Sequence, residues 1–173
     1  MPVEGEEIVA HLMKRNGWSK AQVVSYRKDL IETVAEAGLN FDFAKRTHYY
    51  NTLNSHCLIH WAEKFEKQTE LNEVLIPAYF TDGLDIGALE ALLMLCDQIG
   101  LDSIAAKQAL MSGKLAKELK AKQIKVNAIK MKSVPTFLFN GENIVSGSCS
   151  VGFLENYLRD MFNEDFLANK KVS

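Results

Sequence analysis

The amino-acid sequence predicts an α/β protein in which a long all-helical region comes first and a β-hairpin with one closing helix comes last. Two observations support this prediction. Apolar residues before Ser133 recur at the 3.6-residue spacing of amphipathic helices. After Ser133, the segment "TFLFNGENIVSG" has two short apolar runs around Asn140-Gly141, a dipeptide that supplies the positive φ angles of a tight hairpin turn.

The composition of the chain is that of an ordinary globular protein. Its 173 residues are 47% hydrophobic and 24% charged, with a formal net charge of -2. This balance argues against electrostatic capture of nucleic acid or of an anionic membrane. The apolar runs are too short to cross a bilayer. The first residues, "MPVEGEEIVAHL", contain early acids and lack the basic and apolar regions of a signal peptide, so we expect a cytoplasmic protein.

Residues 1–130 are predicted to form the helical region, because successive amphipathic patterns alternate with helix start and stop signals. Gly17 ends the first pattern. Ser19 opens the second in capping-box register with Gln22, and Asp102 is predicted to cap a later helix. The apolar positions expected to face inward are Ile8, Val9, Leu12, Met13, Val23, Leu30, Ile31, Val34, Leu58, Ile59, Ala62, Phe65, Leu71, Val74, Leu75 and Ala78.

Two residues predict where the middle helices begin and end. Pro77 should bend or end the helix of "LNEVLIPAYF", because proline has no backbone N–H. Asp85 is predicted to be the N-cap of the next helix, which stops at Gly100. The lysine-rich segment "KLAKELKAKQIKVNAI" is interpreted as a solvated helix rather than a binding patch. In the helix that stops at Gly100 and in the lysine-rich helix, the positions expected to face inward are Leu89, Leu92, Leu93, Cys96, Ile99, Leu115, Leu119 and Ile124.

The hairpin poses a physical problem. Phe137, Leu138 and Phe139 are consecutive, so large apolar groups project from both faces of the first strand, as in a central strand covered on both sides. A two-stranded hairpin is marginal in water, and an apolar strand with a free edge invites aggregation. No partner strand is predicted in residues 1–132. We therefore expect the partner to lie upstream of Met1 or in another chain, with a homodimer forming through this edge.

Several segments of the chain resemble one protein family. "SVPTFLFNGENIVSG" is similar to the second half of a thioredoxin fold, where Pro135 matches a cis-proline. "MPVEGEEIVAHLMKRNG", "NTLNSHCLIHWA" and "AYFTDGLDIG" resemble the helical insertion of DsbA-like oxidoreductases of the FrnE type, relatives of hydroxychromene-carboxylate isomerases and kappa-class glutathione transferases. The resemblance implies a partial thioredoxin-like fold, with a helical insertion domain in residues 1–130 and the C-terminal half of a thioredoxin-like domain in residues 131–173.

The sequence departs from this family in one respect. Family members begin with a strand, a C-x-x-C at a helix start and a second strand, and this sequence contains no C-x-x-C. A thiolate at a helix N-terminus has a lowered pKa, attacks disulfides, and is released by the second cysteine. We interpret the chain as an N-terminally truncated thiol–disulfide oxidoreductase that is redox-inactive alone. The alternatives are a remnant peptide-binding or assembly module, and a glutathione-dependent isomerase or transferase relative with an upstream serine as nucleophile.

The resemblance also implies binding residues. Val134 and Pro135, flanked by Ser133 and Thr136, would hold a peptide or thiol substrate, with glutathione as the one small ligand that the family suggests. A plain alternative is that Pro135 only starts a strand.

A second implied site is the segment Ser148, Cys149 and Ser150, which stands before the last helix. In relatives this junction contacts a glutathione carboxylate, so the three residues could form an anion or thiol seat. The simpler alternative, which we favour, is that Ser150 only caps the helix and Cys149 is a passive loop thiol without a resolving partner.

The remaining candidates are histidines and cysteines. His56 and His60 have the one-turn spacing of metal ligands, but further ligands are not visible nearby, so we expect no metal. The family block instead places Asn51 and His56 near the active-site side of the helical insertion. Cys57, Cys96 and Cys149 are an odd and sparse set, which argues against a disulfide scaffold and favours at least two buried thiols.

Overall fold

The computed structural model describes residues 4–128 and 133–170, without the side chains of residues 125, 127–128 and 164–170. The contacts divide it into two compact units, Met1–Ala121 and Lys122–Ser173, with the boundary inside a helix. The sequence-based boundary at 130/131 falls outside the described residues. The elements are β1 (Glu6–Glu7), α1 (Ile8–Asn16), α2 (Lys20–Glu36), β2 (His48–Tyr49), α3 (Leu53–Ala62), a 3₁₀ turn (Glu63–Phe65), α4 (Gln68–Phe80), α5 (Leu89–Gln98), α6 (Ser103–Met111), α7 (Lys114–Ala128), β3 (Thr136–Phe139), β4 (Asn143–Ser146) and α8 (Val151–Lys170).

Three predicted helix boundaries are confirmed. α1 ends at Gly17, which adopts φ 69°. The capping box of α2 is complete, because Gln22 N donates to Ser19 Oγ at 3.3 Å and Ser19 N donates to Gln22 Oε1 at 2.8 Å. Asp102 Oδ1 accepts bonds from the first amides of α6. These signals are local, and the sequence therefore predicts them well.

Two predicted boundaries are wrong. Asp85 does not cap α5, whose N-cap is Ala88. The Asp85 carboxylate instead accepts the amide of Gly87 at 2.8 Å and closes a turn before the helix. Pro77 does not end α4, which continues to Phe80. Because Pro77 lies in the last turn, the helix loses one hydrogen bond near its end rather than in its middle.

Some predicted inward positions are exposed. Of the α2 stripe only Val23 is buried, while Ile31 faces solvent. Ile124 of α7 is also exposed. Amphipathic spacing shows which residues share a helix face, but it cannot show whether another element covers that face.

The first unit also contains two short strands that the sequence analysis missed. β1 and β2 pair antiparallel, with Glu6 opposite Tyr49 and Glu7 opposite His48. Two residues are too few for an alternating pattern, so the sequence carries no signal for them. Within the described residues this pair forms its own small sheet and does not extend the hairpin.

The hydrophobic core lies in the first unit. The main cluster packs α3, α4, α5 and α6 together, and a smaller one joins α1 to α2. Burial of these side chains provides most of the driving force that holds the helices together. The main cluster consists of Cys57, Leu58, Trp61, Ala62, Leu71, Leu75, Ala78, Tyr79, Ile86, Leu92, Leu95, Cys96, Leu101, Ala106 and Leu115, and the smaller one of Ile8, Leu12 and Val23.

The second unit holds the predicted hairpin. β3 and β4 pair antiparallel with Phe137 opposite Val145, and Asn140 (φ 51°) and Gly141 (φ 77°) form the turn. The Phe139 ring lies 5.3 Å from that of Tyr157, so α8 covers this face of the hairpin. None of the described side chains from residue 122 onward is buried. This unit therefore has no hydrophobic core of its own among the described residues.

Candidate functional site

The loop before β3 is the first candidate site. Its Val134–Pro135 peptide bond is cis, and the Val134 side chain is 91% exposed. The Thr136 hydroxyl donates to the Ser133 carbonyl at 2.6 Å. Gly147 N donates to the Pro135 carbonyl at 2.8 Å, which brings the proline loop next to the end of β4. The predicted substrate-binding residues thus form one exposed corner of the hairpin.

The free edge of β3 begins at this corner. In an antiparallel ladder, hydrogen-bonded pairs alternate with non-hydrogen-bonded pairs. The Pro135 carbonyl accepts the amide of Gly147 across the hairpin, so the backbone groups of Phe137, two residues further on, also point toward β4. The backbone groups of Thr136 and Leu138 point the other way. In the part of the chain that the structure describes, no strand pairs with this side of β3. The edge therefore presents donors and acceptors to an extended partner.

The Ser148–Ser150 segment follows directly on Gly147. Ser150 Oγ accepts the amide of Phe153 at 3.2 Å, so this residue caps α8. Cys149 is a half-buried free thiol. The geometry thus accounts for Ser150 by helix capping, and the anion seat stays a prediction.

Two blocks of the first unit, residues 51–55 and residues 86–87, dock against each other. Ser55 Oγ donates to the Ile86 carbonyl, and Asn54 Nδ2 donates to the Gly87 carbonyl at 3.4 Å. Gly87 also approaches Asn51 closely, because a Cβ added at Gly87 would lie 2.6 Å from the Asn51 carbonyl oxygen. The Asn51 side chain accepts the amide of Leu53 at 3.1 Å and so shapes the start of α3. Asn51 therefore has a structural role here.

A pocket lies beside these docked blocks, within the first unit. Its volume is about 190 Å³. Ser55, Leu75, Tyr79 and Ile86 are its buried residues, whereas His56 is exposed at the rim. The sequence-predicted His56 therefore lines a cavity. The full lining is Thr52, Ser55, His56, Ile59, Asn72, Leu75, Ile76, Tyr79, Phe80 and Ile86.

Arg46 and Tyr79 support the pocket, and sequence reasoning missed both. Arg46 is 6% exposed, and Arg46 Nη2 donates to the Tyr79 hydroxyl at 3.1 Å. That hydroxyl donates in turn to the His48 carbonyl at 3.0 Å. The guanidinium carbon lies within 6 Å of four ring centroids. Burial raises the pKa of Tyr79, so the phenol stays neutral. The four rings belong to Phe43, Tyr49, Tyr79 and Phe80.

The two histidines of "HCLIH" have different surroundings. His60 Nδ1 lies 3.2 Å from the carboxylate of Glu63, and His60 Nε2 lies 3.1 Å from that of Glu118. His56 lines the pocket instead. In residues 4–128 and 133–170, no group of three or more His, Cys, Asp and Glu side chains is arranged to hold a metal ion.

Two of the three cysteines are shielded. Cys57 and Cys96 are free thiols in the main core. Burial raises the pKa of both thiols, that of Cys96 to about 11. Neither has the lowered pKa that a disulfide-exchanging nucleophile needs.

A helical region followed by the proline corner, the hairpin and the closing helix is an α/β arrangement consistent with a DsbA-like thioredoxin fold with a helical insertion. The chain belongs to the family described as DSBA-like thioredoxin domain, whose model matches residues 2–159. None of the described helices combines the length and apolar character needed to cross a membrane.

Two individual proteins are similar to this chain. The uncharacterised protein YwbO of Bacillus subtilis (strain 168) is 25% identical over 103 residues, which cover 58% of this chain. The chain spans about half, 50%, of the length of that relative. The crystal structure of a probable DsbA oxidoreductase from Streptomyces coelicolor superposes with a TM-score of 0.80 and 22% identity. The match covers 92% of this chain and 68% of that one.

Proposed function

We propose that this chain is the substrate-binding part of a FrnE-type, DsbA-like thiol–disulfide oxidoreductase. The corner of residues 133–136 receives an extended peptide or thiol substrate. The observation that carries the proposal is that the backbone groups of Thr136 and Leu138 point away from β4 next to the proline loop, and that no other described strand pairs with them. An extended polypeptide that adds to a strand edge gains affinity from such main-chain hydrogen bonds.

The chemistry of disulfide exchange needs a second component. The 173 residues contain no C-x-x-C, and two of their three thiols are buried. Cys149 has no neighbouring thiol in sequence to resolve a mixed disulfide. In our proposal the chain is a truncated family member, and the dithiol comes from a strand–helix–strand unit placed against the β3 edge. Residues 1–173 alone are then inactive in exchange. The free thiols fit a reducing compartment such as the cytoplasm.

The uncovered face of the hairpin supports a partner at this edge. Leu138 and Ile144 are cross-strand neighbours on the same face, and each is 43% exposed. An apolar strand with a free edge is a template for pairing with another chain. When no dithiol unit is present, we propose that a second copy of the chain occupies the edge and forms a homodimer.

Two assays test these proposals. Insulin reduction with dithiothreitol as electron donor should show no rate above background for the purified chain. A rate that disappears in Cys149→Ser would contradict the proposed inactivity. Sedimentation velocity should show a dimer that Leu138→Pro dissociates, because proline removes an edge N–H. Leu138→Ala is the matched control, since it keeps that N–H. A monomer at high concentration, or a dimer unchanged by Leu138→Pro, would contradict pairing through this edge.

A further inference from the structure

We propose that the pocket of the first unit binds one aromatic or branched apolar side chain of an extended polypeptide, and that His56 and Asn72 bond the backbone on either side of it. All residues that line this site belong to the first unit, and none of them belongs to the proline corner or to β3. Its test therefore does not depend on redox activity or on edge pairing.

The size of the pocket selects the occupant. Sites for drug-sized ligands enclose about 300–1,000 Å³. This pocket measures about 190 Å³, which is too small for such a ligand. A cavity of about 150 Å³ holds a benzene ring. The pocket thus accommodates a single ring or branched side chain, which is the unit that a polypeptide inserts as an anchor.

The lining excludes a charged occupant. None of its residues carries a carboxylate, an ammonium or a guanidinium group. Leu75, Tyr79 and Ile86 are buried and supply apolar surface. The Tyr79 hydroxyl is already bonded to Arg46 and His48, and the Ser55 hydroxyl is bonded to Ile86. The buried part of the pocket therefore has no hydroxyl free to bind a phosphate or a carboxylate.

The rim has the opposite character. The side chains of Thr52, His56 and Asn72 make no hydrogen bond to any other residue that the structure describes, and His56 and Asn72 are exposed. His56 lies on α3 and Asn72 on α4, so polar groups are available from both helices. An amide and an imidazole offer donors and acceptors that match a peptide backbone. An apolar interior with a polar rim is the usual anatomy of a side-chain anchor site.

Binding is measured by titrating the ¹⁵N-labelled full chain with acetyl-Gly-Ser-Phe-Ser-Gly-amide and following amide chemical shifts. We expect shifts in residues 52–59 and 72–80, and at least tenfold weaker binding of the peptide with alanine in place of phenylalanine. Ile76→Glu places a charge at the rim and should abolish binding. Ile104→Glu, the same substitution at an exposed isoleucine of α6, is the control and should bind as the parent does. His56→Ala should weaken binding several-fold, and His56→Gln should restore part of it.

Three results would overturn the proposal. Equal affinity for the phenylalanine and alanine peptides would show that no apolar side chain anchors the peptide in the pocket. Free p-cresol binding as tightly as the peptide would make the occupant a small aromatic compound. If Leu138→Pro lost peptide binding and Ile76→Glu kept it, the peptide would bind at the β3 edge rather than in the pocket. Urea unfolding of each variant shows whether it is folded, and Ile59→Trp, which fills the pocket with apolar volume, provides a second blocking variant that adds no charge.

Discussion

Arg46 and Tyr79 form a buried polar pair, in which Arg46 Nη2 donates a 3.1 Å hydrogen bond to the Tyr79 hydroxyl. The same guanidinium lies 4.6 Å from the centroid of the Tyr79 ring. Because the hydroxyl also donates to the His48 carbonyl, it links the segment before α3 to α4. This pair connects the core of the first unit to the pocket.

Tyr79→Phe should lower the free energy of unfolding by about 1–3 kcal/mol, because it removes the partner of a buried guanidinium N–H and of a partly buried carbonyl. Urea denaturation measures the change. Tyr26→Phe, at a phenol that is 40% exposed, is the matched control and should change stability by less than about 0.5 kcal/mol. Equal stabilities of the Tyr79 and Tyr26 variants would show that the hydrogen bonds of Tyr79 contribute nothing net.

Gly87→Ala should separate the two docked blocks, because the new Cβ would lie 2.6 Å from the Asn51 carbonyl oxygen. We expect a loss of about 1–3 kcal/mol, as for other overpacked sites. Gly152→Ala is the control, since a Cβ there meets no atom within 4 Å. Thermal or urea unfolding compares the two. A Gly87→Ala variant as stable as Gly152→Ala would mean that the close approach relaxes without cost.

One thiol per native chain should react with Ellman's reagent at pH 8, and three after unfolding in urea. Cys57 and Cys96 are buried with raised pKa values, and with a pKa of about 11 only roughly one Cys96 thiol in a thousand is ionised at that pH. Cys149→Ser should remove the native reaction. Rapid native reaction of two or more thiols would show that the helical core opens readily.

The contact of Glu6 with His11 should make stability depend on pH. The hydrogen bond between Glu6 Oε2 and His11 Nδ1, at 2.7 Å, lowers the pKa of Glu6 below its ordinary value. Since the folded pKa lies below the unfolded one, the contact stabilises the protein above the unfolded glutamate pKa of about 4.3, and this contribution is lost as the pH falls through the folded pKa.

Urea unfolding from pH 6 down to pH 3 tests this dependence. The stability difference between the parent and Glu6→Gln should shrink as the pH falls. Glu4→Gln, at an exposed carboxylate nearby, is the control. A Glu6→Gln difference that stays constant over this range would exclude a role for the charge.

Much of the secondary structure could be predicted because its signals are local. Ser19 with Gln22, Asp102, and Asn140 with Gly141 act on amides or φ angles within a few residues. The prediction for Asp85 is wrong because its carboxylate accepts the amide of Gly87 and closes a turn, so that α5 begins only at Leu89. Of the two effects predicted for Pro77, ending the helix does not occur, because Pro77 already lies in the last turn of α4.

The sequence alone determined the helical region, the hairpin and the strand of Phe137 to Phe139 that is apolar on both faces, because each depends on neighbours along the chain. The proline corner was implied by the family resemblance rather than by a local pattern. Only the tertiary structure decided that Arg46 meets Tyr79, that Ser55 meets Ile86, and that His56 lines a pocket. These contacts join residues about 30 positions apart. Which distant side chains meet is set by how whole helices pack, and no local pattern encodes that.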